Sequence, residues 1–369
     1  MRKVSARSVK LAVLGAGYWG TKLSKEYAGI ETTTGDARLS YVIDSSQQAL
    51  ERVRKEIGQV YPSNSARYSS SLGEVLDNPE IEAVHIALPN QFHYDIGRQA
   101  LEAGKHVLIE KPVALTSREA FKLARLSEEK GLVLQVGHVF RFNNAVRTVR
   151  ELIRSRRLGK MYYANLSWAT YMKPLPRDRD IVFDLAPHPV DILNHLLEEW
   201  PISVDAIGDS FVQGRENCEE VATVNLEFPD RILAHLYLSW IDHGAKERTI
   251  RVICEKGTVT CDALAQKVKL DQDNTSVEIP IFPSDPRSMM ANMGSPDFQW
   301  KELTGPNNTI RDMQLHFVSL IRERGPQLSS ALVGARTVQV LEDITAAIRR
   351  RGGRSRMVFP ELTNGSPAR

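Results

Sequence analysis

The sequence predicts a two-part fold: an open, doubly wound α/β unit followed by an α+β unit with a largely antiparallel open sheet. Short, near-continuous apolar runs alternate with amphipathic helical stretches over the first 140 residues, as in parallel strands covered on both faces. After about residue 140, strand-like runs follow one another through short turns, which implies antiparallel pairing. A chain of 369 residues also suits two units of roughly 150 residues each.

The apolar runs of the first unit occupy 9–14 (VKLAVL), 38–43, 83–88, 106–109 and 132–136. Between them, 46–57 places Leu50, Val53 and Ile57 on one helical face. Residues 91–103 follow Pro89-Asn90 and close at Gly104, and 118–130 follow Thr116-Ser117 and close at Gly131. The second unit opens with a long helix over 143–159 ending at Gly159. Strands follow at 160–171, 219–228, 231–241, 247–256, 258–264 and 267–271, a sheet of about six. Helices fall at about 187–199, 309–323 and 332–351. Residues 280–308 read as a long loop or lid, and the tail 361–369 as frayed. The domains expected are 1–140 and 141–360.

Lys plus Arg is 48 and Asp plus Glu is 45, a net charge of +3. That balance gives no reason to expect nucleic-acid binding. The longest stretches free of Asp, Glu, Lys and Arg, Ala83 to Tyr94 and Met161 to Met172, are 12 residues each, against about 20 for a membrane-spanning helix. Cys218, Cys254 and Cys261 are odd in number and lack CxxC spacing, so neither disulfides nor a zinc site is expected. The basic start MRKVSARSVK leads into no secretory apolar core. The compartment expected is the cytoplasm.

Residues 15–20 read GAGYWG, with Gly15, Gly17 and Gly20 in GxGxxG spacing between a predicted strand and a predicted helix. This is the context of a Rossmann dinucleotide-binding turn. Gly15 permits the tight turn, Gly17 lets a pyrophosphate approach, and Gly20 lets helix and strand pack closely. Ala16, Tyr18 and Trp19 of the same turn are expected cofactor contacts. Asp44, 24 residues after Gly20, ends the second strand, where its carboxylate can accept from a ribose diol. Ser45 and Ser46 follow rather than an Arg, so NAD is favoured over NADP.

Three further segments are informative: LPNQFH at 88–93, EKP at 110–112 and DLAPHPVD at 184–191. With GAGYWG, they resemble the glucose-fructose oxidoreductase/inositol dehydrogenase/MocA family, from residue 9 to about 350. The resemblance implies NAD(P)-dependent oxidation or reduction at a carbinol carbon of a sugar or cyclitol. It implies a catalytic set of Lys111, Asp184 and His188, and cofactor contacts at Leu88, Pro89, Asn90, His93, Glu110 and Lys111. His93 sits in a TPxxH-like position, although Leu88 departs from the commoner Thr and the spacing is one residue longer. GHVFRFN at 137–143 borders the active site in the family, which makes Arg141 and Asn143 candidate substrate contacts. A helix cap is the other reading of Asn143. FDLAPHPVDIL, AHLYLSW at 234–240 and GHVFRFN look closest to members acting on nucleotide-linked sugars, the UDP-N-acetylglucosamine 3-dehydrogenases. An inositol or free-sugar dehydrogenase, a NAD-dependent glycosidase and a non-catalytic NAD- and sugar-binding regulator are the alternatives.

Elementary chemistry agrees with the catalytic set. Lys111 lies at the carboxyl end of a parallel strand, where open α/β sheets bind ligands, and its cation can stabilise a developing alkoxide. Pro112 biases it toward an extended backbone. Pro187 suits a helix's first turn, so Asp184 precedes the helix and His188 sits near its N-terminus, where the dipole disfavours imidazolium. Asp184 could orient His188 or raise its pKa, an opposing effect. Asp184, His188, Asp191 and His195 form an i, i+4, i+7, i+11 stripe that could also hold a metal. No metal is expected, because the dehydrogenase reading already employs Asp184 and His188. His195 reads as a partly buried helix residue and Asp191 as a substrate or supporting residue. Trp168 and Tyr171 end a strand and either wall the substrate pocket or belong to the core. Tyr171 is counted with the substrate contacts.

Arg147, Arg150, Arg154 and Arg157 form a basic stripe read as a solvated face, and Arg349 to Arg356 end a helix. In the second sheet, Ala222, Val224, Leu226 and Phe228 make an apolar face, as do Ala234, Leu236, Leu238 and Trp240. Leu233, His235, Tyr237 and Ser239 make a mixed one. An open sheet with helices on one side leaves that mixed face for a partner, so a homodimer or homotetramer is expected.

Overall fold

The computed structural model describes residues 7–176, 179–215, 218–281 and 306–350. Most of the predicted lid, the tail and the end of the 349–356 run lie outside these residues.

The first sheet has six parallel strands: β1 (Val9–Leu14), β2 (Ala37–Ile43), β3 (Arg67–Ser69), β4 (Ala83–Ile86), β5 (His106–Ile109) and β6 (Leu134–Val136). Their order is β3-β2-β1-β4-β5-β6. The order reverses between β1 and β4, and a crevice opens at their carboxyl ends. The sequence reading found five of the six. β3 is a three-residue edge strand, too short and too exposed to give an apolar run. The helices between are α1 (Tyr18–Thr33), α2 (Gln47–Val60), α3 (Gly73–Leu76), α4 (His93–Glu102) and α5 (Ser117–Glu129). Ser46 and Thr116 cap α2 and α5 by accepting from Ala49 N and Glu119 N.

The second sheet has eight strands: β7 (Met161–Ala169), β8 (Ser203–Asp209), β9 (Val221–Phe228), β10 (Ile232–Ser239), β11 (Glu247–Cys254), β12 (Gly257–Asp262), β13 (Lys267–Gln272) and β14 (Thr275–Ile279). The order is β14-β13-β12-β11-β7-β10-β9-β8, antiparallel throughout except for the parallel β7–β10 pair. Its two unforeseen strands, β8 and β14, are the edges; β8 alternates exposed and buried positions through Asp and Gly, and β14 is almost wholly exposed. The helices are α6 (Asn144–Arg154), α7 (Ile181–Leu185), α8 (Pro187–Leu197), α9 (Thr309–Glu323) and α10 (Ala331–Arg349). The first of these stops at Arg154 rather than near Gly159, because Arg156 adopts φ 51° and turns the chain out of the helix.

Strand alternation distributes the first unit's core to both faces of its sheet. Val9, Leu11 and Val13 join Tyr27, Val53 and Ile57 on one side, while Ala12 and Leu14 join Leu101, Ile109 and Leu123 on the other. The last helices, placed in the second domain by chain order, cross back to this sheet. Met313, Phe317 and Leu320 of α9 complete the first cluster, and Ala335 and Val338 of α10 complete the second. Leu341, Ile344 and Ile348 of α10 also enter the second unit's core, beside Leu166, Val224, Leu236 and Ile250.

Candidate active site

At the end of β1 the chain makes a turn that only glycine fits. Gly15 has φ +110°, and a Cβ there would stand 2.4 Å from the Ala87 carbonyl oxygen. A Cβ on Gly20 would stand 1.9 Å from the Gly15 oxygen. At Gly17 the same position is open, with nothing within 4 Å. Gly17 is the N-cap of α1 and supplies no side-chain acceptor, so the first-turn N–H groups of Tyr18, Trp19 and Gly20 have no intrahelical partner. This cradle fits a pyrophosphate. Asp44 stands beside it. Its Oδ2 accepts from Ala16 N at 2.6 Å and its Oδ1 from Ser46 N at 2.8 Å. Ser45 is exposed next to it. Arg52 of α2, which the sequence reading assigned to no site, donates to the Ala16 carbonyl at 2.9 Å.

A cavity of about 380 Å³ lies between the two units. Trp19, Leu88, Asn90, His93, Glu110 and Lys111 line it from the first, and Leu185, His188, Lys246 and Arg248 from the second. Lys111 follows β5 across the crevice, and its peptide to Pro112 is cis. Its Nζ donates to the Asp184 carbonyl at 2.6 Å and stands 3.6 Å from Asp184 Oδ1. His188 lies in the first turn of α8, its ring edge-on to Phe140 at 5.1 Å. Burial, then the charges of Lys111 and Arg248, with His138 and Lys246 behind them, hold its pKa well below the ordinary value. Its ring is neutral at pH 7.

Several expected contacts serve other ends. Asp184 does not orient His188: among the described residues its carboxylate meets Lys111, Arg179 Nε at 3.6 Å and the Trp240 indole N–H at 3.2 Å. One hydrogen bond and two ion pairs thus engage it, none from the His188 ring. Arg141 does not face the cavity. It is buried, and donates from Nε to Asp191 (2.7 Å), from Nη1 to the Leu328 carbonyl (2.8 Å) and from Nη2 to Asn194 (2.7 Å). Asn143 is the N-cap of α6: its Oδ1 accepts from Ala145 N and Val146 N, and its Nδ2 donates to the Ala263 carbonyl. His93 touches the cavity, but its ring nitrogens sit 2.7 Å and 2.9 Å from the Pro112 and Leu88 carbonyls. It ties together the two loops that carry Leu88 and Lys111. Tyr171 lies outside the cavity lining, half exposed against the His243 ring at 4.1 Å, and Trp168 is buried core. Pro89 is exposed beside the site.

The stripe on α8 also divides. Asp191 pairs with Arg141 and with His138 Nδ1 at 3.1 Å, and His195 is buried. Among the described residues, no three His, Cys, Asp or Glu side chains converge as metal ligands. The arginine stripe is not simply solvated: Arg147 donates to the Arg141 carbonyl and Arg150 to the His195 carbonyl, while Arg150 and Arg154 pair with Glu198.

Lys246, Arg248, Phe140 and Trp240 were missed. For Arg248 a signal existed. Strand β11 turns Arg248, Ile250, Val252 and Cys254 inward, so an arginine occupies a core register.

Residues 9–138 match the family model of an oxidoreductase family with an NAD-binding Rossmann fold, and 146–260 match the GFO/IDH/MocA C-terminal domain. The chain is 29% identical over 177 residues to 1,5-anhydro-D-fructose reductase of Ensifer adhaerens, covering 46% of this chain and 53% of that one. It is 28% identical over 232 residues to UDP-N-acetylglucosamine 3-dehydrogenase of Acidithiobacillus ferrooxidans, covering 63% of this chain and 67% of that one. The match thus spans about half to two thirds of these relatives. The solved structure of the Acidithiobacillus ferrooxidans dehydrogenase superposes with a TM-score of 0.76 at 22% identity, covering 93% of this chain and 98% of that one. Levoglucosan dehydrogenase, in complex with NADH and levoglucosan, gives a TM-score of 0.78 at 18% identity, with coverage of 93% and 98%. With both family models matched in order along it, the chain belongs to the Gfo/Idh/MocA oxidoreductase family.

Proposed function

We propose that this chain is a NAD-dependent dehydrogenase acting on a secondary alcohol of a sugar, by similarity a nucleotide-linked one of the UDP-N-acetylglucosamine 3-dehydrogenase kind. The observation that carries the reading is the meeting of Lys111 and His188 in one cavity beside the glycine turn. A nicotinamide ring, when bound, takes up or returns the hydride. In the oxidative direction, His188 accepts the hydroxyl proton as the carbinol carbon becomes a carbonyl. Lys111 uses one N–H on the Asp184 carbonyl and keeps others for the substrate oxygen, whose developing charge it stabilises. Asp184 positions that ammonium rather than the imidazole.

The turn at Gly15–Gly20, with Leu88, Asn90 and Glu110, would hold the cofactor, and Asp44 would exchange its bond from Ala16 N for a ribose diol. That carboxylate favours NAD; a preference for NADP would assign the 2′-phosphate to Arg52. Residues 1–140 would then be the cofactor unit, and 141–360 the unit for substrate and self-association. The mixed outer face of the second sheet supports a homodimer or homotetramer. The three free, buried cysteines support a reducing compartment, the cytoplasm.

The test is NADH-linked turnover of UDP-sugars, inositols and free sugars. His188→Ala should lose about 10²–10⁴-fold in kcat, the usual worth of a general base, while still quenching or enhancing NADH fluorescence on binding. Near-full turnover in that variant would overturn the assignment.

A further inference from the structure

The same cavity holds more positive charge than the proposed proton and hydride chemistry uses. Three cations line it, Lys111, Lys246 and Arg248, against one carboxylate, Glu110. Lys111 is matched by Asp184. Arg248 has no carboxylate in contact among the described residues, and Asp184 and Glu247 act on it only from further off: only 6% exposed, it donates from Nη1 to the Ala169 and Glu247 carbonyls, and its guanidinium stands 5.7 Å from the Trp168 ring centroid. Among the described residues no carboxylate comes within ion-pair distance of it, and its two hydrogen bonds both leave from Nη1. Burial lowers its pKa to about 10, so it stays charged at neutral pH.

A cation taken out of water without a counter-ion is costly, and proteins keep such groups where a ligand supplies the missing charge. The open fork of Nε and Nη2 suits a planar or tetrahedral oxyanion in bidentate contact. Lys246, exposed just before β11 begins, adds a second positive charge at the mouth.

Resting on the dehydrogenase reading, we propose that Arg248, with Lys246, forms an anion subsite that selects a sugar bearing a negatively charged substituent on the ring being oxidised. The substituent is a carboxylate or a phosphoryl group.

The test compares matched pairs that differ only in that charge. Glucose is set against glucuronate and glucose 6-phosphate, and UDP-N-acetylglucosamine against its uronate. The charged member of at least one pair should have a kcat/KM higher by about 10- to 100-fold, the range of a hydrogen bond to a charged group. The uronate and phosphate arms tell the two oxyanions apart. Arg248→Gln should bring that ratio to about one, Arg248→Lys should restore part of it, and Lys246→Ala should lower it less. Equal ratios in all pairs, or a preference that survives Arg248→Gln, would overturn the subsite. If no pair is turned over, the dehydrogenase reading fails separately, and calorimetric titration of the same pairs decides the subsite. Binding of a charged member that Arg248→Gln abolishes supports it, and equal or absent binding overturns it.

Discussion

Arg141 shows how a residue can sit beside an active site in sequence and yet belong to the core. It follows β6 at the junction of the two units, where a substrate contact is a natural expectation. Its three acceptors, however, come from Asp191, Asn194 and Leu328. Such long-range partners leave no mark near residue 141. The strand-end place of Lys111 and the first-turn place of His188 were legible because both are local, while their pairing in one catalytic set came from the family resemblance. The partner of Asp184 was not, because Arg179, Trp240 and Lys111 approach from separate elements. Arg141→Met should therefore act on stability before catalysis. Removing one partner of a buried ion pair costs about 3–5 kcal/mol, measurable as a shift in denaturant midpoint. A stable variant with a raised KM would instead return Arg141 to the substrate.

At the scale of elements, strands with a buried apolar run were legible, the buried edge strand β6 included, and the solvated edges were not. A central strand must be apolar on its buried face, whereas β3, β8 and β14 are short or partly solvated and carry little pattern. The outer face of the second sheet holds an apolar row across three strands, Leu233, Tyr163 and Ile253, with Leu233 51% exposed. Beside it the Asn165 side-chain oxygen is buried without a hydrogen-bond partner. Both features suit a second copy of the chain laid on this face. Sedimentation at micromolar concentration should give a dimer or tetramer, and Leu233→Lys should shift it toward monomer. A wild-type monomer would remove this face as the interface.

For the whole molecule, buried imidazoles set the acid limit. Burial lowers both His138 and His316 to about 4, below the ordinary histidine value of 6.5. His138 faces Asp191 and Arg141, with Glu110 and Lys111 further off, and His316 faces Arg147. Between pH 6.5 and 4 the unfolded chain binds protons that the folded chain refuses, so stability falls as pH falls through that window. The Tm should drop between pH 7 and pH 4.5, and His316→Gln should lessen the drop. An unchanged Tm across the window would contradict the burial of these rings.

Helix α9 sets a further condition on how the chain is made. Val9, Leu11 and Val13 leave the ribosome about 300 residues ahead of Met313, Phe317 and Leu320, which seal their face of the sheet. At ordinary synthesis rates the intervening chain takes roughly 15–60 s to make. Through that interval the cofactor unit carries an open apolar seam. The match to the first family model ends at residue 138, but the packing of that unit does not, so the unit is completed by a segment far along the chain.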